Sequence, residues 1–229
     1  MATIAANMQA VRERIERAAQ TAGRIASEVE LIAVSKTFPA QAIAEAHAAG
    51  QRAFGESYVQ EAVEKVTQLS DLPLIWHFIG PIQSNKTRAI AGHFQWVHSI
   101  ARAKIAQRLN DARPAHLPPL DVCMQVNVSG EDSKSGVAPG AELELARAIL
   151  ALPRLRLRGL MAIPEPTPDM QLQRRRFALL REIKDQLVAA GIQLDTLSMG
   201  MSDDLEAAIA EGATMVRVGT AIFGQRQKA

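Results

Sequence analysis

The feature that most constrains this sequence is a regular alternation of short apolar runs with longer stretches of helical periodicity, repeated along nearly its whole length. The runs that read as strands are Leu31–Ser35, Arg52–Phe54, Leu74–Ile79, Trp96–Ser99, Asp121–Asn127, Leu157–Ile163, Thr196–Met199 and Met215–Val218. Between them the pattern predicts helices over Ala40–Ala49, Tyr58–Leu69, Asn85–Ala91, Ala101–Asp111, Ala141–Leu150, Asp169–Ala190 and Asp203–Glu211. Parallel strands need a crossover of about a dozen residues, usually helical, and each gap supplies one or nearly so. Eight such strands select a closed (β/α)8 barrel of the TIM type over an open doubly wound sheet. Punctuation agrees: Gly50, Gly191 and Gly212 end helices, and Ser202 with Asp203 and Asp204 starts one.

Residues 3–21 carry Ile4, Met8, Val11 and Ile15 at amphipathic spacing. Little sequence follows the eighth strand, so this leading helix is expected to fill the outer position of a final barrel helix. The 229 residues fit the roughly 200–250 of a one-domain barrel, and the proline-rich stretches Pro114–Pro119 and Pro164–Pro168 are short enough to be loops. We therefore expect one domain over 1–229.

Composition narrows the classes. Apolar residues at 48% and charged residues at 22% allow a large core under a charged surface. A net charge of +2 is too small a bias to argue for a nucleic-acid or membrane partner. The densest basic run, Arg174 to Arg176, reads as a solvated helix face. Cys123 is the only cysteine, which removes an internal disulfide and favours a reducing compartment. With no apolar run long enough to span a bilayer, the expectation is a cytoplasmic protein. The five histidines, His47, His77, His93, His98 and His116, lack metal-ligand spacing, so no metal is expected.

Lys36 ends the apolar run Leu31–Val34, just past Ser35 and before Pro39. That places it at the C-terminal end of a barrel strand, the face on which barrel active sites are built. A lysine in a pocket with limited water loses solvation of its charged form, and its amine can then attack an aldehyde to give a Schiff base. A strand-end lysine that simply reaches solvent is the equal alternative.

At the other end of the sequence, Leu197–Asp204 runs from a strand through Gly200 to a helix start, and Met215–Ala221 gives a strand and a small-residue turn. Barrels often bind phosphate in the loops after strands seven and eight. Ser198 could donate its hydroxyl, and Gly219 and Thr220 their backbone N–H groups; Ser202 reads mainly as a helix cap. Arg217 interrupts an apolar strand and needs a partner inside the barrel, either a cofactor ring nitrogen or a carboxylate from a neighbouring strand. His77 and His98 end strands and could line the pocket, but each reads first as a satisfied barrel histidine.

These residues resemble the pyridoxal phosphate homeostasis protein family, whose barrel is related to the N-terminal domain of alanine racemase. The resemblance covers nearly the whole sequence and is carried by Ala33–Thr37, Phe54–Glu61, Trp76–Gly80 through Gln83–Lys86, Ser198–Asp204 and Val216–Gly224. It implies pyridoxal phosphate held as an internal aldimine on Lys36, Arg217 facing the pyridine nitrogen, and Ser198, Gly219 and Thr220 around the phosphate. Ser57, Met199 and His77 join as lesser cofactor contacts. Lys134 matches a family lysine near the barrel mouth, although it and Lys86 also read as ordinary loop and helix-start residues. Ser57 stands where the family usually has Asn, and Phe38 where some members have a second lysine.

An arginine beside the pyridine nitrogen disfavours its protonation and weakens the ring as an electron sink. In the related racemases, the resemblance implies, a second base comes from a tyrosine of a further β-domain; here the barrel takes up the sequence and Tyr58 is the only tyrosine. We therefore expect a non-enzymatic, monomeric protein that holds the cofactor and delivers it to apo forms of pyridoxal-phosphate enzymes. A weak amino-acid racemase and a colourless Schiff-base aldolase are the enzymatic alternatives, and an RNA- or partner-binding module is a third class with little support.

Overall fold

The computed structural model describes residues 3–130, 135–138 and 140–225; Lys134 lies outside them. Among the described residues there are eight strands: β1 (Glu30–Val34), β2 (Ala53–Glu56), β3 (Ile75–Phe78), β4 (Trp96–Ile100), β5 (Leu120–Gln125), β6 (Leu155–Met161), β7 (Thr196–Ser198) and β8 (Met215–Val218). All neighbours pair in parallel, and β8 closes onto β1 with Glu30 to Ala33 opposite Met215 to Val218. The expected (β/α)8 barrel is the observed fold.

Most strand boundaries match to within a residue or two. The strand read as Arg52–Phe54 runs on to Glu56, because Gly55 and Glu56 pair with His77 and Phe78 of the next strand. The sixth strand starts at Leu155, where Arg156 and Arg158 face a shared acid, Asp121.

The helices are α1 (Ile4–Thr21), α2 (Ala40–Ala48), α3 (Val59–Gln68), α4 (Thr87–His93), α5 (Ala103–Ala112), α6 (Glu142–Leu150), α7 (Met170–Ala189), α8 (Leu205–Ala210) and α9 (Thr220–Phe223). Thr3 caps α1 by accepting the Ala6 N–H. Met8, Val11 and Ile15 are buried, and α1 packs on α2, α8 and α9. It thus fills the eighth outer position, as its spacing predicts. Gly50, Gly191 and Gly212 follow their helices at φ of 89°, 89° and 96°, the left-handed conformation that glycine adopts without penalty. Ser202 is not the cap of α8. Asp204 holds that position, and its carboxylate accepts the Met201 N–H at 2.6 Å, while the Ser202 carbonyl accepts from Arg14. The turn expected at Gly219–Ala221 winds into α9, tied to α1 by Asn7 Nδ2 on the Ile222 carbonyl at 2.9 Å. Within the basic run, Arg174 and Arg176 pair with Glu211 and Glu165, and Arg174 and Arg175 are exposed.

Successive strand residues face opposite sides of the sheet, and the core divides accordingly. Alternate positions such as Leu31, Ala33, Phe54 and Phe78 pack under the helices, whereas Ile32, Ala53, Trp96, Cys123, Met161 and Met215 fill the barrel. Burying one such large side chain contributes roughly 1.5–3 kcal/mol. Arg158 lies 4.9 Å from the Trp96 ring centre and pairs with Asp121 and Asp195, so ions and packed rings occupy the end of the barrel where the strands begin.

Candidate functional site

Lys36 follows β1 and is half-buried. It lines a cavity of ≈ 780 Å³ at the C-terminal end of the barrel, shared with Ser57, Tyr58, Ile79, Lys86 and Ile163. Its main chain is pinned from both sides. The Ser35 hydroxyl donates to Glu56 Oε1 at 2.7 Å, and Lys65 Nζ donates to the Ser35 carbonyl at 2.9 Å and to Glu56 Oε1 at 2.8 Å. On the other side the Thr37 N–H donates to Glu61 Oε1 at 2.6 Å, and Glu61 also pairs with Lys65. Thr37 has φ of 70°, a left-handed conformation that costs a β-branched residue of order 1–3 kcal/mol and persists only where surroundings enforce it. Burial pushes the Glu56 carboxyl pKa up, against the pull of Lys65 and Ser35.

Inside the barrel, Arg217, Ser198, His98 and His77 form a continuous chain, and none of them lines that cavity. Arg217 is 3% exposed. Its Nη1 donates to the Ser198 carbonyl and hydroxyl, both at 2.7 Å, and its Nη2 to the Ala162 carbonyl at 2.8 Å. No carboxylate pairs with it among the described residues; Asp204 acts only at a distance, and burial lowers the arginine pKa to about 10. His98 Nδ1 lies 2.8 Å from Ser198 Oγ, and His98 Nε2 lies 2.9 Å from His77 Nδ1. Burial holds His77 down to about 3. His98 is also well below the usual histidine range through burial, His77 and Arg217.

Three sequence expectations change here. The Ser198 hydroxyl, expected beside a phosphate, is engaged by Arg217 and His98 in the barrel interior. His77 does not line the mouth: it is fully buried and stacked on Trp96, ring centres 5.5 Å apart. Met199 packs its side chain in the outer core under the helices and not toward the cavity; neighbouring strand residues point opposite ways, and Ser198 takes the inner side. Ser57 does share the Lys36 cavity.

The loops after β7 and β8 present donors. The N–H groups of Gly200, Ser202, Gly219 and Thr220 make no hydrogen bond among the described residues, so they remain available to an oxyanion. The loop after β8 approaches the strand before Lys36 closely at Gly219: a Cβ there would sit 3.0 Å from the Val34 carbonyl oxygen. An amine, a buried guanidinium and unpaired backbone donors have the chemistry that would suit an aldehyde, a ring nitrogen and a phosphate, although Arg217, Gly219 and Thr220 do not line the cavity at Lys36. Sequence reasoning missed Glu56, Glu61 and Lys65. The available signal was Lys65 itself, which falls three residues after buried Ala62 on the inward stripe of α3.

Comparison with known proteins places these features in a family. Residues 6–227 match the model of the alanine racemase N-terminal domain. A protein of Pseudomonas aeruginosa named pyridoxal phosphate homeostasis protein is 66% identical over 226 residues, covering 99% of this sequence and 97% of its own. One of the same name from Escherichia coli is 55% identical, with coverage of 99% and 98%. Among solved structures, PipY of Synechococcus elongatus with pyridoxal phosphate bound superposes with a TM-score of 0.79 at 40% identity, covering 92% of this sequence and 99% of that chain. Alanine racemase of Corynebacterium glutamicum, at 18% identity and a TM-score of 0.69, shares the fold over 62% of its chain. The chain therefore belongs to the alanine racemase N-terminal domain family, among the pyridoxal phosphate homeostasis proteins.

Proposed function

We propose that this protein binds pyridoxal phosphate covalently through Lys36 Nζ and serves in cofactor homeostasis, holding the cofactor and releasing it to apo-enzymes as a monomeric carrier. The observation that carries the reading is the approach of Gly219 to Val34. It brings unpaired backbone donors of the last barrel loop beside the strand that ends in Lys36. Gly219 and Thr220, with Gly200 and Ser202, would take the phosphate through N–H groups, and Arg217 would face the pyridine nitrogen. Ser57 lies beside the amine in the same cavity. When bound, the cofactor supplies an aldehyde that captures amines and a ring that withdraws electrons from carbon attached to it.

Holding is favoured over turnover by the charge on Arg217, which opposes a proton on the ring nitrogen facing it. The relatives' names support the same reading, as does the cofactor bound to PipY. Tyr58, the only tyrosine, lines the Lys36 cavity but is 53% exposed, a poor setting for a base that must be oriented on a substrate carbon.

The test is an absorbance spectrum of the purified protein incubated with pyridoxal phosphate, repeated with Lys36→Ala. A visible-region band in the wild type that disappears in the variant is expected. A band that persists in Lys36→Ala moves the attachment elsewhere, and racemisation of an amino acid at enzyme-like rates that depends on Lys36 would overturn the holding role. Cofactor transfer to an apo-enzyme and size-exclusion chromatography check delivery and the monomer.

A further inference from the structure

We propose that His77, His98 and Ser198 together act as a neutral counter-ion for Arg217, an oriented hydrogen-bond chain that fixes its guanidinium without cancelling its charge. The part of the proposal that concerns the cofactor rests on the reading above; the chain itself does not.

The direction of every hydrogen bond follows from one constraint. Arginine only donates, so Ser198 Oγ accepts from Arg217 Nη1. The hydroxyl proton must then go to its other neighbour, His98 Nδ1 at 2.8 Å. A neutral His98 with an accepting Nδ1 carries its hydrogen on Nε2 and donates it to His77 Nδ1 at 2.9 Å. His77 is left with its hydrogen on Nε2, the one ring nitrogen of the pair that is buried without a partner. Running the chain the other way would strand two groups, the serine hydroxyl proton and the His77 Nε2 lone pair, so the first direction is favoured. In it, every dipole turns its negative end toward Arg217.

Such a chain does what a carboxylate would not. An aspartate in contact with Arg217 would neutralise the cation, and among the described residues its hydrogen-bond partners are the Ser198 carbonyl and hydroxyl and the Ala162 carbonyl. Neutral acceptors steady the guanidinium by geometry and keep its positive charge, while three of its five N–H groups are engaged and two remain. The two imidazoles cannot supply a competing cation, since burial keeps both neutral. His77, His98 and Ser198 are thus positioning residues for the group that would face the pyridine nitrogen.

The test begins on the wild-type protein without added cofactor. Long-range 15N–1H correlation spectra between about pH 6 and 8, either side of the ordinary histidine value, should show two non-titrating histidines, both with hydrogen on Nε2. An Nδ1–H tautomer in either would overturn the proposal, and this measurement needs no variant to fold. Ser198→Ala should then release pyridoxal phosphate about tenfold faster, the scale of one hydrogen bond to a charged group, and shift the cofactor's visible band. Ser198→Thr, which keeps the hydroxyl, should restore both readouts. Unchanged release and band position in Ser198→Ala also overturn the proposal. If the wild type takes up no cofactor, the functional reading fails, and the tautomers alone decide whether the chain is oriented as argued.

Discussion

Lys65 Nζ donates to the main-chain carbonyl of Ser35 at 2.9 Å, thirty positions earlier in the sequence. Its ammonium thereby ties helix α3 to the residue preceding Lys36, while Glu56 and Glu61 neutralise it. The strained Thr37 backbone next door is enforced by the same cluster. A buried charge network on the outer side of the barrel wall thus holds the backbone on both sides of Lys36.

Lys65→Met should be strongly destabilising, because it leaves the fully buried Glu56 without its cation. Breaking a buried pair from one side costs about 3–5 kcal/mol, which for a barrel of this size lowers Tm by roughly 10 °C. Adding Glu56→Gln should recover part of the loss. A melting temperature within about 2 °C of wild type would show that the network does not hold the loop.

Gly219→Ala tests the approach of the last loop to β1. The added methyl meets backbone, the Val34 carbonyl oxygen at 3.0 Å, so the loop must move away from the Lys36 strand. Faster cofactor release by several-fold is expected, with a smaller effect on Tm than Lys65→Met; equal retention by variant and wild type would remove Gly219 from the site.

Acid should weaken the fold through the two barrel imidazoles. Both have folded-state pKa values depressed by burial, His77 to about 3, whereas in the unfolded chain they titrate near about 6.5. The unfolded state therefore binds more protons below that value, and stability rises with pH. It should be fully present above about pH 6.5 and fall, by up to ~1.4 kcal/mol per pH unit for each ring, as pH drops toward 3. Urea midpoints from pH 7 to pH 4 measure this, and a flat profile would contradict neutral buried rings.

Cys123 is buried inside the barrel, and burial raises its thiol pKa. Without thiolate or access it should not react with a disulfide reagent in the native protein. Labelling at the rate of a free thiol, without denaturant, would mean the barrel interior opens readily.

Lys36 and Arg217 were legible in the sequence for a local reason. Each interrupts or ends a run of apolar residues, and period-two alternation alone assigns it to the barrel interior or the strand end. The apolar run Arg52–Phe54 stops short of Glu56, and only pairing with β3 makes Glu56 strand. Ser198 falls within the strand expected over Thr196–Met199, yet its partner His98 is 100 positions away, and no local pattern can name that contact.

Among the described residues no helix is long and apolar enough to cross a membrane and no cluster suits a metal ion. By itself the sequence determined the order of strands and helices, the closure of the barrel and the end at which Lys36 stands, because these follow from hydrophobic period and chain direction. Only the tertiary structure decided which oxygens receive Arg217, where the Ser198 hydroxyl turns and what pins the Lys36 loop. Those contacts join side chains from different strands and helices, and closing the barrel is what brings them within hydrogen-bond distance.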